Sequence, residues 1–256
     1  MSQGAYASVN GIELYYEVHG ADHPGLPLIM LHGGVQTFHL SFDTLLPELT
    51  KDRQVIGVEL QGHGHTADGD RPFSIGQCAA DVVALLDHLD IDRADFFGYS
   101  LGGLVSTDVA VSHPERVGRV VLAASHFRPD AYYPEITAPE QDSPRLPTEE
   151  EGAAMYQAYI EVAPDPDHFS AFLEKIQPAV HAFEPWTDEQ LARLTMPILM
   201  IIGDTDFVRP EHAVEMHNRL PDSQLAILPA TRHMEVVERA DLVLPMVKPF
   251  LHRRHP

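Results

Sequence analysis

A rhythm constrains this chain more than any single motif. Apolar runs of strand length alternate with helical patterns along most of it. The runs are "PLIMLHGG" (27–34), "QVIGVEL" (54–60), "ADFFGYS" (94–100), "VGRVVLAAS" (117–125), "PILMIIGD" (197–204) and "SQLAILPA" (223–230). Between them, "SIGQCAADVVALLDHL" (74–89) reads as an amphipathic helix capped by Ser74, with further helices at 101–112, 210–220 and roughly 240–252. Strands apolar on both faces and separated by helices predict a mostly parallel sheet with helices on both sides, an α/β fold. The opening "YASVNGIELYYEVHG" alternates and contains Asn10-Gly11, so it reads as an antiparallel hairpin at the sheet's edge.

Residues 126–190 break the rhythm. They begin with a Pro- and acid-rich stretch, "RPDAYYPEITAPEQDSPRLPTEEEG", and continue with helical patterns at 148–162 and 167–183. The expected organisation is a core formed by 1–125 and 191–256, with 126–190 inserted between two of its strands. Loops this long inside a compact domain are usually functional or disordered.

The formal net charge is −21 over 256 residues. Nucleic acid and anionic membrane surfaces would be repelled. No run of 18 apolar residues suggests a membrane span, and the N-terminus lacks a basic region leading into an apolar one. One cysteine, Cys78, leaves no internal disulfide framework. The expected setting is cytoplasmic. The charge is uneven: residues 126–190 hold 14 Asp/Glu against 3 Lys/Arg, a net of −11, and the rest hold 24 against 14, a net of −10.

In a parallel sheet, ligands bind beyond the carboxyl ends of the strands. Here those ends carry His32-Gly33-Gly34-Val35, Gly98-Tyr99-Ser100-Leu101-Gly102-Gly103, Gly203-Asp204-Thr205-Asp206 and Thr231-Arg232-His233. Gly-x-Ser-x-Gly alone is weak, arising by chance about once in ten chains of this length at ordinary residue usage. Its place between a strand and a helix makes it informative, since that turn presents a serine oxygen above the sheet. Serine, then acid, then histidine, each just past a strand, suits nucleophilic catalysis. The alternative for Ser100 is a turn serine capping the helix. Asp206, two residues into its loop and followed by Val208 and Pro210, is favoured over Asp204, whose alternative is a turn carboxylate. Among 16 histidines, only His233 stands just past the last sheet strand. His63 and His65 lack ligand partners at metal spacing and read as loop residues; His217 reads as a solvated helix residue and His32 as a loop organiser.

Taken together, these segments resemble the α/β-hydrolase family over nearly the full length. "HGG" at 32–34 is similar to its oxyanion loop, "ELQGHGHT" to its D-x-R-G-H-G-x-S segment, "GYSLGG" to its nucleophile elbow, "GDTD" to its acid turn and Arg232-His233 to its histidine loop. Glu59 and Gln61 depart from the pattern, standing where the family has an acid and an arginine. The resemblance implies an α/β-hydrolase fold with a helical cap at 126–190. It also implies Ser100 as nucleophile, His233 as general base and acid, Asp206 as its orienting partner, and the N–H groups of Gly34 and Leu101 as the oxyanion hole. That chemistry needs no cofactor and no metal. The implied partner is a small-molecule ester or lactone, with Val35, Phe127, Tyr133, Tyr156 and Trp186 as expected substrate contacts.

The acidic cap points toward neutral or cationic esters and away from substrates carried on acidic proteins or coenzyme A. The chain is similar in size, triad spacing and cap placement to serine-dependent macrolide esterases, which implies a macrolide lactone as one substrate. Cofactor-free perhydrolases (haloperoxidases) and C–C bond hydrolases share the triad. Leu101 stands where many of them carry methionine. Receptors of the same fold, which bind a small ligand with little turnover, form a rival of another class.

Overall fold

The computed structural model describes residues 4–20, 23, 25–138, 143–181 and 183–252. In chain order the main elements are β1 (Gly4–Val9), β2 (Ile12–His19), β3 (Leu28–Leu31), α1 (Phe38–Phe42), α2 (Leu46–Leu49), β4 (Val55–Glu59), α3 (Ile75–His88), β5 (Ala94–Tyr99), α4 (Leu101–Ser112) and β6 (Val117–Ala123). They continue with α5 (Pro134–Thr137), α6 (Glu149–Val162), α7 (Phe169–His181), α8 (Asp188–Leu191), β7 (Ile198–Gly203), α9 (Pro210–Arg219), β8 (Ser223–Leu228) and α10 (Ala240–His252).

The strands form one sheet in the order β1-β2-β4-β3-β5-β6-β7-β8. β1 and β2 pair antiparallel through a tight turn, with Asn10 at φ 46° and Gly11 at φ 85°. Positive φ at both turn residues matches the twist of a hairpin. β2 joins β4 antiparallel, and every later pairing is parallel. β3, β4, β5, β6 and β7 are buried along their whole length. Alternate residues feed opposite layers, as a pleated strand requires. Ile29 and Leu31 pack in the layer with α3 and α4, while Leu28 and Met30 pack with Phe38, Phe42, Val243 and Phe250 on the other face. β8, at the edge, is only half-buried over most of its length.

α3 begins at Ser74, whose hydroxyl accepts from Gln77 N–H at 3.1 Å. α1 and α2 are short helices that the sequence pattern does not announce; Thr37 caps the first, accepting from Leu40 N–H at 3.1 Å. His217 is half-buried and its Nδ1 lies 2.8 Å from Ser223 Oγ, so it tethers α9 to β8, where a solvated face was expected.

Between β6 and β7 the chain leaves the sheet to form α5, α6, α7 and α8. Thr148 and Glu151 start α6 with reciprocal backbone bonds, a capping box. Glu140 and Asp142, counted in this segment's charge, lie outside the described residues. No helix among the described residues is long and apolar enough to cross a membrane.

Candidate active site

Ser100 sits on the turn between β5 and α4 at φ 50°, ψ −113°. A non-glycine residue rarely adopts such a conformation unless its surroundings enforce it. Ser100 N–H donates to Ala123 O at 2.8 Å, and Gly102 N–H to His32 O at 3.0 Å. Two glycines let strand and helix close on each other: a Cβ on Gly98 would lie 2.2 Å from Gly102 O, and one on Gly102 would lie 2.0 Å from Leu31 O.

His233 Nε2 lies 2.9 Å from Ser100 Oγ, and its Nδ1 lies 2.8 Å from Asp206 Oδ1. Asp206 is fully buried, and the same Oδ1 accepts from Val208 N–H at 2.9 Å. A carboxylate facing Nδ1 makes that nitrogen the donor and leaves Nε2 free to accept from the hydroxyl. Asp204 is exposed and accepts from Thr231 N–H at 3.2 Å, which makes it a turn carboxylate. The geometry therefore brings Ser100, His233 and Asp206 together and leaves Asp204 apart.

The loop after β3 is arranged by two buried histidines. His32 Nδ1–H donates to Gly33 O at 2.8 Å, and its Nε2 accepts from Leu60 N–H at 3.0 Å. His63 Nδ1–H donates to Gln61 O at 3.0 Å, and its Nε2 accepts from Val35 N–H at 3.0 Å. Burial pushes both imidazoles below the ordinary histidine range, His63 well below it. Each is thus a neutral clamp with both nitrogens spent on backbone. Val35 is held at φ 63°, which a β-branched residue seldom adopts. Gly33 N–H donates to Ser41 Oγ at 3.3 Å. Gly34 lies between these two committed N–H groups, against the side chain of Leu101. Leu101 opens α4, so its N–H has no acceptor within the helix.

Glu59 and Gln61, the two departures from the family pattern, still tie their loop. Buried Glu59 accepts from Phe38 N–H at 3.1 Å and from His65 N–H at 2.7 Å. Gln61 Oε1 accepts from Arg71 Nε at 2.7 Å, while its amide donates to Asp68 at 2.9 Å.

A cavity of about 250 Å³ opens above Ser100 and His233. Its floor is Gly34, Leu101, Ser100 and His233. Its roof comes from the segment between β6 and β7, with Leu173, Ile176, Gln177 and Val180 of α7, Met155 of α6 and Ile136 of α5. Of the five expected substrate contacts, only Val35 lines it. Phe127 and Trp186 are buried against each other edge to face at 6.1 Å, and Trp186 Nε1–H donates to Asp108 at 3.0 Å. Tyr133 lies beneath the Arg145 guanidinium at 4.1 Å. Tyr156 is exposed and meets Phe169 edge-on at 5.0 Å. These four aromatic side chains hold the segment's own structure.

Residue type was a partial guide, since Tyr132 and Met155 of the same segment do line the cavity; helical spacing adds 173, 176, 177 and 180, which fall on one helix face. Two further residues follow the site in sequence. Phe207, beside Asp206, stacks on the His233 ring at 3.7 Å and 19°, and both it and Met234 line the cavity. Tyr99, beside Ser100, donates its buried hydroxyl to His233 O at 3.2 Å.

Known proteins resemble this chain at the level of family and fold. The alpha/beta hydrolase fold family model matches residues 27–154, half the chain. The chain belongs to the α/β-hydrolase family. It is similar, at 28% identity over 241 residues, to a pimeloyl-[acyl-carrier protein] methyl ester esterase of Neisseria meningitidis, covering 87% of this chain and 91% of that one. Its structure is similar to an enol-lactonase from Burkholderia xenovorans LB400, with a TM-score of 0.76 and 27% identity over 97% of this chain and all of that one. A meta-cleavage product hydrolase from Pseudomonas fluorescens IP01 shares the fold, with a TM-score of 0.81 at 21% identity over 97% of each chain. The expectation of a carboxylic ester hydrolase stands beside relatives named for ester and lactone cleavage.

Proposed function

We propose that the protein cleaves a small, neutral carboxylic ester or lactone through a Ser100–His233–Asp206 triad and an acyl-enzyme. The observation that carries this reading is the unbroken contact from Asp206 Oδ1 through His233 to Ser100 Oγ, at 2.8 and 2.9 Å, on the floor of an apolar cavity. His233 Nε2 takes the hydroxyl proton as Oγ attacks the ester carbonyl. Asp206 holds the imidazolium that forms. The carbonyl oxygen becomes an oxyanion facing Gly34 and Leu101 N–H, each preorganised donor contributing about 3 kcal/mol to lowering the barrier. The carbon–oxygen bond to the alcohol breaks, and His233 returns its proton to the leaving oxygen. Water then enters, loses a proton to His233 and attacks the acyl carbon; the bond to Ser100 Oγ breaks, His233 returns the proton to Oγ, and the acid leaves.

The cavity supports a reading of the substrate's size and charge. At about 250 Å³ it falls just below the ~300 Å³ at which sites for drug-sized ligands begin. A sugar-bearing macrolide would need the roof displaced, so a smaller ester fits the cavity better. No lysine or arginine is among its described lining residues, and a buried carboxylate without a cation is costly. The three cations of 126–190 are all engaged: Arg128 with Glu215, Arg145 with Asp206 O and Lys175 with Asp68. That leaves the segment no spare basic group for an acidic carrier protein, and favours a free ester over a carrier-bound one. We place 126–190 as a cap over a core of 1–125 and 191–256, because its helices supply the roof.

The test is turnover of p-nitrophenyl esters together with labelling by a fluorophosphonate. Hydrolysis and labelling by the native protein, both lost in Ser100→Ala, support the reading. Equal labelling of Ser100→Ala, or binding of esters with no turnover, refutes it.

A further inference from the structure

Two arginine contacts cross between the roof segment and the loops that carry Asp206 and His233. Arg145, in the roof segment, donates from Nη1 to the backbone oxygen of Asp206 at 2.8 Å. Its guanidinium also covers the Tyr133 ring at 4.1 Å. Tyr133 N–H donates to Phe207 O at 3.1 Å, and Arg209 N–H to Ala131 O at 2.9 Å. Tyr132 and Val208 form an antiparallel bridge between the same two stretches. The acid's loop is thus stitched to the root of the roof segment along residues 206–209. Phe207 carries that placement to His233 by stacking on its ring.

The second contact runs the other way. Arg232, the residue before His233, meets Glu151 of α6 with both terminal nitrogens, at 2.6 and 3.2 Å. Glu151 also accepts from Thr148 N–H at 2.6 Å, so it sits fixed in the first turn of its helix. A guanidinium bound at two points to one carboxylate fixes orientation as well as distance. From the core side, the histidine loop is held by Tyr99.

We propose that Arg145, together with the Arg232–Glu151 pair, forms two straps through which the roof segment positions Asp206 and His233 for proton transfer. Arg145 and Glu151 are positioning residues that act through the acid and the base without touching substrate. The roof segment is then part of the catalytic alignment as well as a cover, and lifting it slackens both loops at once.

This rests on the triad reading, and the test separates the two. Label the native protein, Arg145→Met, Arg145→Lys and Glu151→Gln with a fluorophosphonate, and measure kcat and KM for p-nitrophenyl acetate and p-nitrophenyl hexanoate. Small misalignments of reacting groups cost rate steeply. For Arg145→Met the expected result is a fall of about tenfold or more in labelling rate and in kcat for both esters, with KM within about twofold of native. Arg145→Lys keeps a donor for Asp206 O and recovers most of the loss. Glu151→Gln keeps the helix cap, weakens the pair with Arg232 and gives a smaller fall of the same kind. A cover that only retains substrate gives the opposite pattern: raised KM, unchanged kcat, and an effect confined to the hexanoate. That pattern, or native labelling rates in Arg145→Met, overturns the proposal. If Arg145→Met does not fold, Arg145→Gln is read by the same criteria. Undiminished labelling of Ser100→Ala refutes the triad reading instead, whatever Arg145 does.

Discussion

The loops beyond β3, β5, β7 and β8 and the helices above them face the same cavity, yet they are built differently. The loops leave strands of which three are buried end to end, and their geometry is set by backbone bonds and glycine contacts. A side chain larger than hydrogen at Gly98 or Gly102 would meet backbone within 2.2 Å, so the chain there has one way to run. In α6, by contrast, only Tyr159 is buried, and the acidic first turn faces solvent or Arg232. A helix so lightly packed is locally less stable than the buried strands. Reactive groups are held where the backbone is over-determined, and substrate is met where it is not.

The comparison breaks first if the core loops do not carry the chemistry. Ser100→Ala is expected to lower ester turnover about 10⁶-fold, the scale seen when a triad nucleophile is removed. Its melting temperature should hardly move, because the hydroxyl is partly exposed and caps no helix. Activity within tenfold of native, measured with p-nitrophenyl acetate, would end the assignment.

The next test sets two carboxylates of one turn against each other. Asp206→Asn removes the charge facing His233 Nδ1 and is expected to cost about 10⁴-fold in kcat, since the amide favours the wrong tautomer. Asp204→Asn touches only Thr231 N–H, and its loss should stay within roughly fivefold, the effect of one neutral hydrogen bond. Comparable losses in the two variants would show that the turn as a whole, and not one carboxylate, is needed.

Both expectations were available from the chain alone, and the reason is physical. Strands buried on both faces leave apolar runs of recognisable length, and a parallel sheet delivers their carboxyl ends to one edge. Ser100, Asp206 and His233 each stand just beyond such a run. Substrate contacts have no such rule. Phe127, Tyr133, Tyr156 and Trp186 are aromatic residues in the right segment, yet their rings pack against Trp186, Arg145, Phe169 and Phe127 in turn. The cavity is lined instead by one face of α7, by Tyr132 and Met155 of the same segment, and by two neighbours of the triad, Phe207 and Met234. The straps from Arg145 and Arg232 join residues 61 and 81 positions apart, and no local pattern encodes such pairings.

A third prediction turns on that helix face. Ile176 is buried at the roof, so Ile176→Phe narrows the cavity over the acyl chain. We expect kcat/KM for p-nitrophenyl hexanoate to fall about tenfold or more while the acetate changes little, since pocket shape discriminates by roughly that factor per methylene. Equal losses on both esters would place Ile176 in the structural core.

The smallest effect concerns charge. The net of −11 on 126–190 led to the expectation that cationic esters are preferred over anionic ones. In the structure, most described acidic residues of this segment are exposed, and none lines the cavity. Their influence must therefore act through solvent, where the Debye length is about 8 Å at physiological ionic strength. Inside the cavity a different penalty applies: an anion entering it finds no described lysine or arginine, and salt does not screen that cost. The two effects separate by tether length. For matched esters ending in an amine, hydroxyl or carboxylate on a long tether that stays in solvent, amine should exceed carboxylate by a few-fold in kcat/KM at low salt, and the gap should close as salt rises. On a short tether that carries the group into the cavity, carboxylate should remain disfavoured at every ionic strength. A salt-independent gap on the long tether would place a charged group of the roof segment at the site. Equal rates for the short amine, hydroxyl and carboxylate esters would mean that the roof opens to water during turnover, which is the behaviour the two straps should prevent.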